Sequence, residues 1–353
     1  MDLFSFREEE WFDHPIEWLA PFRVRQLFHW FHHRGIWDYS EMDNIPLSLR
    51  KRLSEEFPVE SVHINRWISS REDETKKILF QLPDNNIVEG VLLSYRHGLS
   101  FCISTQVGCA MGCRFCASTL GGKVRNISRS EMLQMFYLAQ REFGKKITHL
   151  VLMGSGEPLD NLEEVKGFLD ILTHPKGQDM SWRNVTISTS GLVDGIEQLI
   201  LWGHPLTLAV SLHSARQEIR SELMPIAKKW NIQSVAEAAF RYQAISGRRV
   251  SFEVSLIEGV NDTKEDLQML IQLLQGKGAH VNLISLNPTQ ELGLVSSSSK
   301  RLQHFKKSLE AVGIHATIRR EMGRDIQGAC GQLRNSVLEE NTRRNDGKSI
   351  SRR

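Results

Sequence analysis

Between residues 98 and 320, short apolar runs alternate with amphipathic stretches, and this alternation leaves few folds open to the chain. The strand-like runs cover 101–104, 149–153, 185–188, 207–211, 250–255 and 281–285. Helical patterns separate them, as over 128–143, where Ser128 followed by Glu131 has capping-box spacing. Such alternation builds a parallel sheet covered by helices. Six strand–helix units predict an α/β fold of the partial (βα)6 barrel type, short of the eight units of a closed barrel. Ligands of such sheets gather at the C-terminal ends of the strands. The residues following each run are therefore the candidates for chemistry.

The first run leads into Cys109-Ala-Met-Gly-Cys113-Arg-Phe-Cys116. Three thiolates this close suit one soft metal centre and leave a four-iron cluster one ligand short. An iron with an open position can bind a substrate. Structural zinc is the alternative, but it takes four protein ligands, and no second Cys or His pair follows at the usual spacing. The C-x3-C-x2-C loop resembles the signature of radical S-adenosylmethionine (SAM) enzymes. That resemblance implies a [4Fe-4S] cluster on Cys109, Cys113 and Cys116, with SAM at the open iron.

Later runs end in Gly154-Ser-Gly156-Glu157-Pro158, Ser188-Thr-Ser190-Gly191, Ser211-Leu212-His213 and Asn287-Pro288. Each alone has an ordinary explanation: glycines make turns, hydroxyls cap helices, and single histidines are often structural. Their shared place at one end of consecutive strands makes them candidates for holding SAM. Backbone at Gly156 can approach the methionine part, and the Glu157 carboxylate can accept from its ammonium group. Ser188, Ser211, Leu212, His213 and Asn287 offer polar groups and backbone to ribose and adenine.

Outside this core, residues 1–60 read as helical. Val24, Leu27, Phe28 and Phe31 share a helical face, while Arg23, Arg25, His29, His32, His33, Arg34 and Arg50-Lys51-Arg52 lie elsewhere. This is either a solvated face or a basic, aromatic-laced surface for RNA. The runs 77–82 and 87–93 flank Pro83-Asp-Asn-Asn86, a hairpin signal. Glu89 sits within the second run, either half-exposed or facing a cavity as a proton acceptor. No run of about 18 apolar residues is present, and the acidic N-terminus lacks the apolar region of a secretory signal. Five cysteines, three in one loop, argue against a disulfide scaffold and for a reducing, cytoplasmic setting. Cys330, in Gly328-Ala-Cys330-Gly-Gln-Leu333, has the surroundings of a mobile nucleophile rather than a core residue.

Together, Cys102-x6-Cys109-x3-Cys113-x2-Cys116, Gly156-Glu157-Pro158, Ser188-Thr-Ser190, Ser211-Leu-His213 and Ala329-Cys330-Gly-Gln-Leu333 resemble the RlmN/Cfr family of radical SAM RNA methyltransferases. The likeness runs from about Phe22 to Leu333. It implies a helical RNA-binding accessory domain at 1–60, a β-hairpin linker at 61–97 and a radical SAM core with the cysteine loop at 98–335; beyond it, 336–353 reads by composition as a basic tail. It also implies two SAM molecules per turnover. One methylates Cys330; the other is cleaved reductively at the cluster and abstracts hydrogen from that methyl group, so that its carbon joins the adenine ring. Cys102 would then release the crosslink by a disulfide with Cys330, and Glu89 would accept the proton. Gly90 departs from the family, which more often has Thr there. The implied substrates are adenosine 2503 of 23S rRNA and adenosine 37 of tRNA, methylated at C2. The alternative is Cfr-like methylation at C8, which the departures at Asn282–Asn287 and Thr317–Gly323 keep open. The resemblance further implies a monomer served by an electron donor such as flavodoxin.

Overall fold

The structure, a computed structural model, describes residues 2–13, 16–287, 293–326, 328 and 331. Its strands are β1 (His63–Ser69), β2 (Lys76–Gln81), β3 (Ile87–Tyr95), β4 (Gly98–Cys102), β5 (Gln106–Gly108), β6 (Lys123–Asn126), β7 (Ile147–Leu152), β8 (Val185–Thr189), β9 (Thr207–Ser211), β10 (Ser251–Leu256), β11 (His280–Ser285) and β12 (His315–Ile318). The helices are α1 (Glu10–Asp13), α2 (Pro21–Phe28), α3 (Leu47–Glu56), α4 (Arg129–Phe143), α5 (Leu162–Thr173), α6 (Val193–Trp202), α7 (Gln217–Leu223), α8 (Ile232–Ser246), α9 (Lys264–Leu274) and α10 (Ser299–Ala311).

Ten strands make one sheet in the order β1-β2-β3-β4-β7-β8-β9-β10-β11-β12. From β4 to β12 all neighbours are parallel, joined by helical crossovers. The sheet is open, with β1 and β12 at its edges. The α/β architecture and the incomplete barrel are as the alternation predicts. The strand β12 adds a parallel neighbour to β11 beyond the six runs. Its four residues, His-Ala-Thr-Ile, are too short and too polar to stand out in sequence.

The predicted hairpin is β2–β3, with Asn85 at φ 67° in its turn. It is continuous with the main sheet, because β3 pairs antiparallel with β4. Gly90 on β3 has a steric reason: a Cβ there would lie 2.7 Å from the Phe101 ring and 3.0 Å from that of Phe80. Ser128 caps α4 with the predicted capping box, its hydroxyl accepting from Glu131 N–H while the Glu131 carboxylate accepts from Ser128 N–H.

Val24, Leu27, Phe28 and Phe31 are buried as their spacing requires, and the N-terminal helices share one apolar core with the sheet. His32 does not belong to the basic surface. It is fully buried and hydrogen-bonds the Tyr137 hydroxyl of α4 at 3.1 Å through Nδ1. Arg25, His29, His33 and Arg34 do face solvent.

Candidate active site at the strand ends

The cysteine loop leaves the sheet after β4 and is framed by the β5–β6 pair, in which Val107 faces Arg125. Within it, Cys109 N–H donates to Gly122 O (3.1 Å) and Cys116 N–H to Cys113 O (3.2 Å). The Thr119 hydroxyl donates to the Cys113 and Cys116 carbonyls. Gly331, next to Cys330, accepts from Ala117 N–H at 2.8 Å, so the C-terminal segment reaches this loop. Cys330 itself lies outside the described residues.

Cys109, Cys113 and Cys116 line one cavity of about 150 Å³. The same wall carries Gly156, Glu157, Ser188, Ser190, Ser211, His213 and Asn287, from the ends of four different strands. Chain segments that are far apart in sequence meet here because parallel strands all deliver their C-terminal ends to one edge. Burial pushes the Cys109 thiol up to about 11 and the Cys113 thiol well above its ordinary range. Without a metal these thiols are protonated at neutral pH, so loading releases protons.

Three observations fit a cluster with SAM. First, the three cysteines of the loop line one cavity together with the polar ends of the strands. Second, the buried Ser190 hydroxyl lines the cavity beside the Glu157 carboxylate, where a bound polar ligand can meet both. Third, His213 adopts φ 56°, an uncommon backbone for a non-glycine residue and one that clusters at functional sites. Its Nδ1 accepts from Ser255 N–H at 3.1 Å, and burial holds its ring neutral, at about 3. It therefore presents Nε2–H, 4.3 Å between ring centroids from Phe115.

Glu157 is buried, and burial raises its carboxyl despite donors from Ser190 N–H (2.7 Å) and Leu159 N–H (3.1 Å). It thus ties β8 to the cysteine cavity and keeps lone pairs for a ligand. Gly154 and Gly156 are needed because their backbones pass against β4 and its continuation. A Cβ would fall 2.6 Å from Ser104 N and 2.7 Å from the Gln106 side chain respectively.

Not every candidate lines this cavity. Leu212 is fully buried in the apolar core and takes part only through its backbone. Cys102 lines a neighbouring cavity with Leu93, Met322 and Gly328, divided from the first by Met153, Ile284, Asn287 and Arg319. Glu89 lines a third, beside Ala117 and Ser118 just past the cysteine loop, with Lys77 Nζ 2.7 Å from its carboxylate. Sequence reasoning missed Glu253 and Arg319. Glu253 lies in the cavity wall and accepts from Ser251 and Asn282 at 2.8 Å each. The signal was present, since Glu253 interrupts an apolar run as Glu89 does. Among the described residues no helix is long and apolar enough to cross a membrane.

Comparison with known proteins agrees with this geometry. Residues 103–274 match the Radical SAM superfamily, and residues 9–59 match the ribosomal RNA large subunit methyltransferase N-terminal domain. A probable dual-specificity RNA methyltransferase RlmN of Alkaliphilus metalliredigens is 46% identical over 319 residues, covering 90% of each chain. One of Clostridium perfringens is 45% identical over 327 residues, covering 91% of this chain and 94% of the other. A radical SAM methyltransferase from Sphaerobacter thermophilus superposes with a TM-score of 0.89 at 38% identity, covering 95% of this chain and 99% of that one.

Proposed function

The chain belongs to the RlmN family of radical SAM RNA methyltransferases, enzymes of [4Fe-4S] cluster and SAM, and from that premise we propose that it methylates C2 of adenosine 2503 in 23S rRNA and of adenosine 37 in tRNA. The observation that carries the reading is the single cavity shared by three cysteines and the polar ends of the parallel strands. Cys109, Cys113 and Cys116 would hold the cluster, with SAM against Gly156, Glu157, Ser188, Ser211, His213 and Asn287. Bound together, these groups supply one-electron chemistry, which an adenine ring carbon needs because it is too weak a nucleophile for polar methyl transfer.

The chain's own residues divide the remaining tasks. Glu157 orients the SAM ammonium group, and His213 Nε2–H and the Ser190 hydroxyl offer donors to its polar edges. Cys330 carries the methyl group to RNA. Cys102, in the neighbouring cavity beyond the shared wall of Met153 and Asn287, would release the product by a disulfide with Cys330. Glu89 takes the ring proton, its charge held by Lys77. Residues 1–60 dock RNA through exposed Arg25, Arg34, Lys51 and Arg52, an electrostatic contact that weakens with salt. The tail at 336–353, outside the described residues, adds to that contact. An external one-electron donor such as flavodoxin reduces the cluster of what we take to be a cytoplasmic monomer.

The test is mass spectrometry of nucleosides from a 23S rRNA fragment treated with anaerobically reconstituted protein, SAM and reductant. Standards of 2-methyladenosine and 8-methyladenosine are run beside it. The 2-methyl product is expected. The 8-methyl product moves the protein to the Cfr-like branch, and no methyladenosine despite SAM cleavage overturns the substrate assignment.

A further inference from the structure

Arg220, in α7, is completely buried and is the largest fully buried side chain described. Its guanidinium is spent on carbonyl groups. Nη2 donates to Ser190 O at 2.7 Å and to Ser211 O at 3.3 Å, Nε to Leu212 O at 3.2 Å, and Nη1 to Trp230 O at 3.4 Å. Three of these carbonyls are at the ends of β8 and β9, the strands that bring Ser188, Ser190, Ser211 and His213 to the cavity. None of the ion pairs among the described residues involves Arg220. A buried charge lacking an opposite charge is costly, and it is tolerated where an anion is supplied from elsewhere.

The neighbouring anion can be identified from packing. Leu223 and Met224, one turn along from Arg220, pack against Cys113, and Arg114 N–H donates to Leu223 O at 2.9 Å. The helix that holds Arg220 is therefore seated directly behind a cysteine of the cluster loop. Burial lowers the guanidinium to about 10, partly offset by the Cys113 charge, so it remains a cation at neutral pH.

Resting on the assignment of the cluster to Cys109, Cys113 and Cys116, we propose that Arg220 is the buried counter-charge of the cluster. An iron–sulfur core on three thiolates carries net negative charge, and one electron more when reduced. A fixed cation behind Cys113 favours the reduced form and raises the potential at which it is reached. The same side chain is a positioning residue, since its carbonyl contacts hold the ends of β8 and β9 at one spacing.

The experiment is a redox titration of the reconstituted, cluster-loaded protein followed by the electron spin resonance signal of the reduced cluster, without SAM or RNA. Arg220→Gln leaves a neutral amide with two N–H donors and no charge; Arg220→Lys keeps the charge and three N–H donors but loses the planar fork. For Arg220→Gln the ratio of reduced to oxidised cluster at fixed potential is expected to fall at least tenfold, which is about 59 mV for a one-electron couple. Arg220→Lys is expected to stay near the parent. A loaded Arg220→Gln protein with the parent's potential overturns the proposal. If Arg220→Gln assembles no cluster, Arg220→Lys decides: a loaded protein near the parent potential supports the counter-charge, whereas failure to load, or a potential shifted tenfold, overturns it in favour of a purely structural clamp. Because no RNA is present, this outcome is independent of whether the adenosine assignment holds.

Discussion

Lys77 Nζ lies 2.7 Å from Glu89 Oε1, and only 6% and 2% of these side chains reach water. The two residues are on adjacent strands, where β2 and β3 place Leu79 opposite Glu89 and Lys77 opposite Val91, so the pair is a diagonal across one sheet face. Removing one partner of a buried pair strands the other charge. Lys77→Met is expected to cost about 3 kcal/mol of stability, and Lys77→Met with Glu89→Leu to recover most of it. Urea unfolding of the three proteins measures both. Equal stabilities for the single and double variants would show that the pair is not a stability element.

The cysteines outside the cluster loop separate by product. Cys330→Ala is expected to fold, to keep its cluster and to lose methylation completely. For Cys102→Ala a covalent protein–RNA adduct is expected, seen as a shifted band on a denaturing gel. Free RNA and free protein alone in that lane would remove the resolving role from Cys102.

His32 makes folding pH-dependent. Burial holds its ring at about 3 against an ordinary 6.5, so the unfolded chain takes up a proton first as the solution is acidified. The folded value is the depressed one, so its contribution is whole above about pH 6.5 and is lost as pH falls from there towards 3. Between about pH 7 and pH 5 the loss is about 2 kcal/mol for this group. His32→Gln is expected to flatten the slope of unfolding free energy against pH by that amount, whatever its effect on stability at pH 7. An unchanged slope would place the pH dependence elsewhere.

Asp325 joins the Cys330 segment to the β1–β2 turn. Its carboxylate accepts from the Ser70 hydroxyl at 2.7 Å and Arg71 N–H at 2.8 Å, while Asp73 accepts from Gly323 N–H at 3.0 Å. The Arg71 amide and the Ser70 hydroxyl hold Asp325 below its ordinary carboxylate range. Asp325→Ala frees this anchor without touching the cysteine cavity. Methylation is expected to fall about tenfold through looser positioning, while SAM cleavage by the reduced protein continues at the parent rate. A parallel loss of both activities would mean that the substitution damages the cluster site.

Much of the architecture was legible because local chemistry and tertiary fold agree. Ser128 and Glu131 name their capping box, Pro83 to Asn86 name their turn, and Cys109, Cys113 and Cys116 name their loop without reference to any other segment. Other residues needed a direction in space. Ser211, Leu212 and His213 look like one motif, yet the strand ends at Ser211 and the backbone turns left-handed at His213. Ser211 and His213 consequently reach the cavity and Leu212 the apolar core. His32 sits among histidines and arginines, and only its packing against Tyr137 separates it from them.

By itself the sequence determined the alternation of strands and helices, the soft-metal loop and the residues gathered at the strand ends, because periodicity and ligand spacing are local properties. Tertiary structure alone decided that Glu89 meets Lys77, that Cys102 stands behind a separate wall, and that Arg220 is buried with carbonyls for partners, on the helix whose end packs against Cys113. Those relationships join residues from 8 to more than 100 positions apart. They arise only when parallel crossovers bring the strand ends to one edge and exclude water from the charges left there.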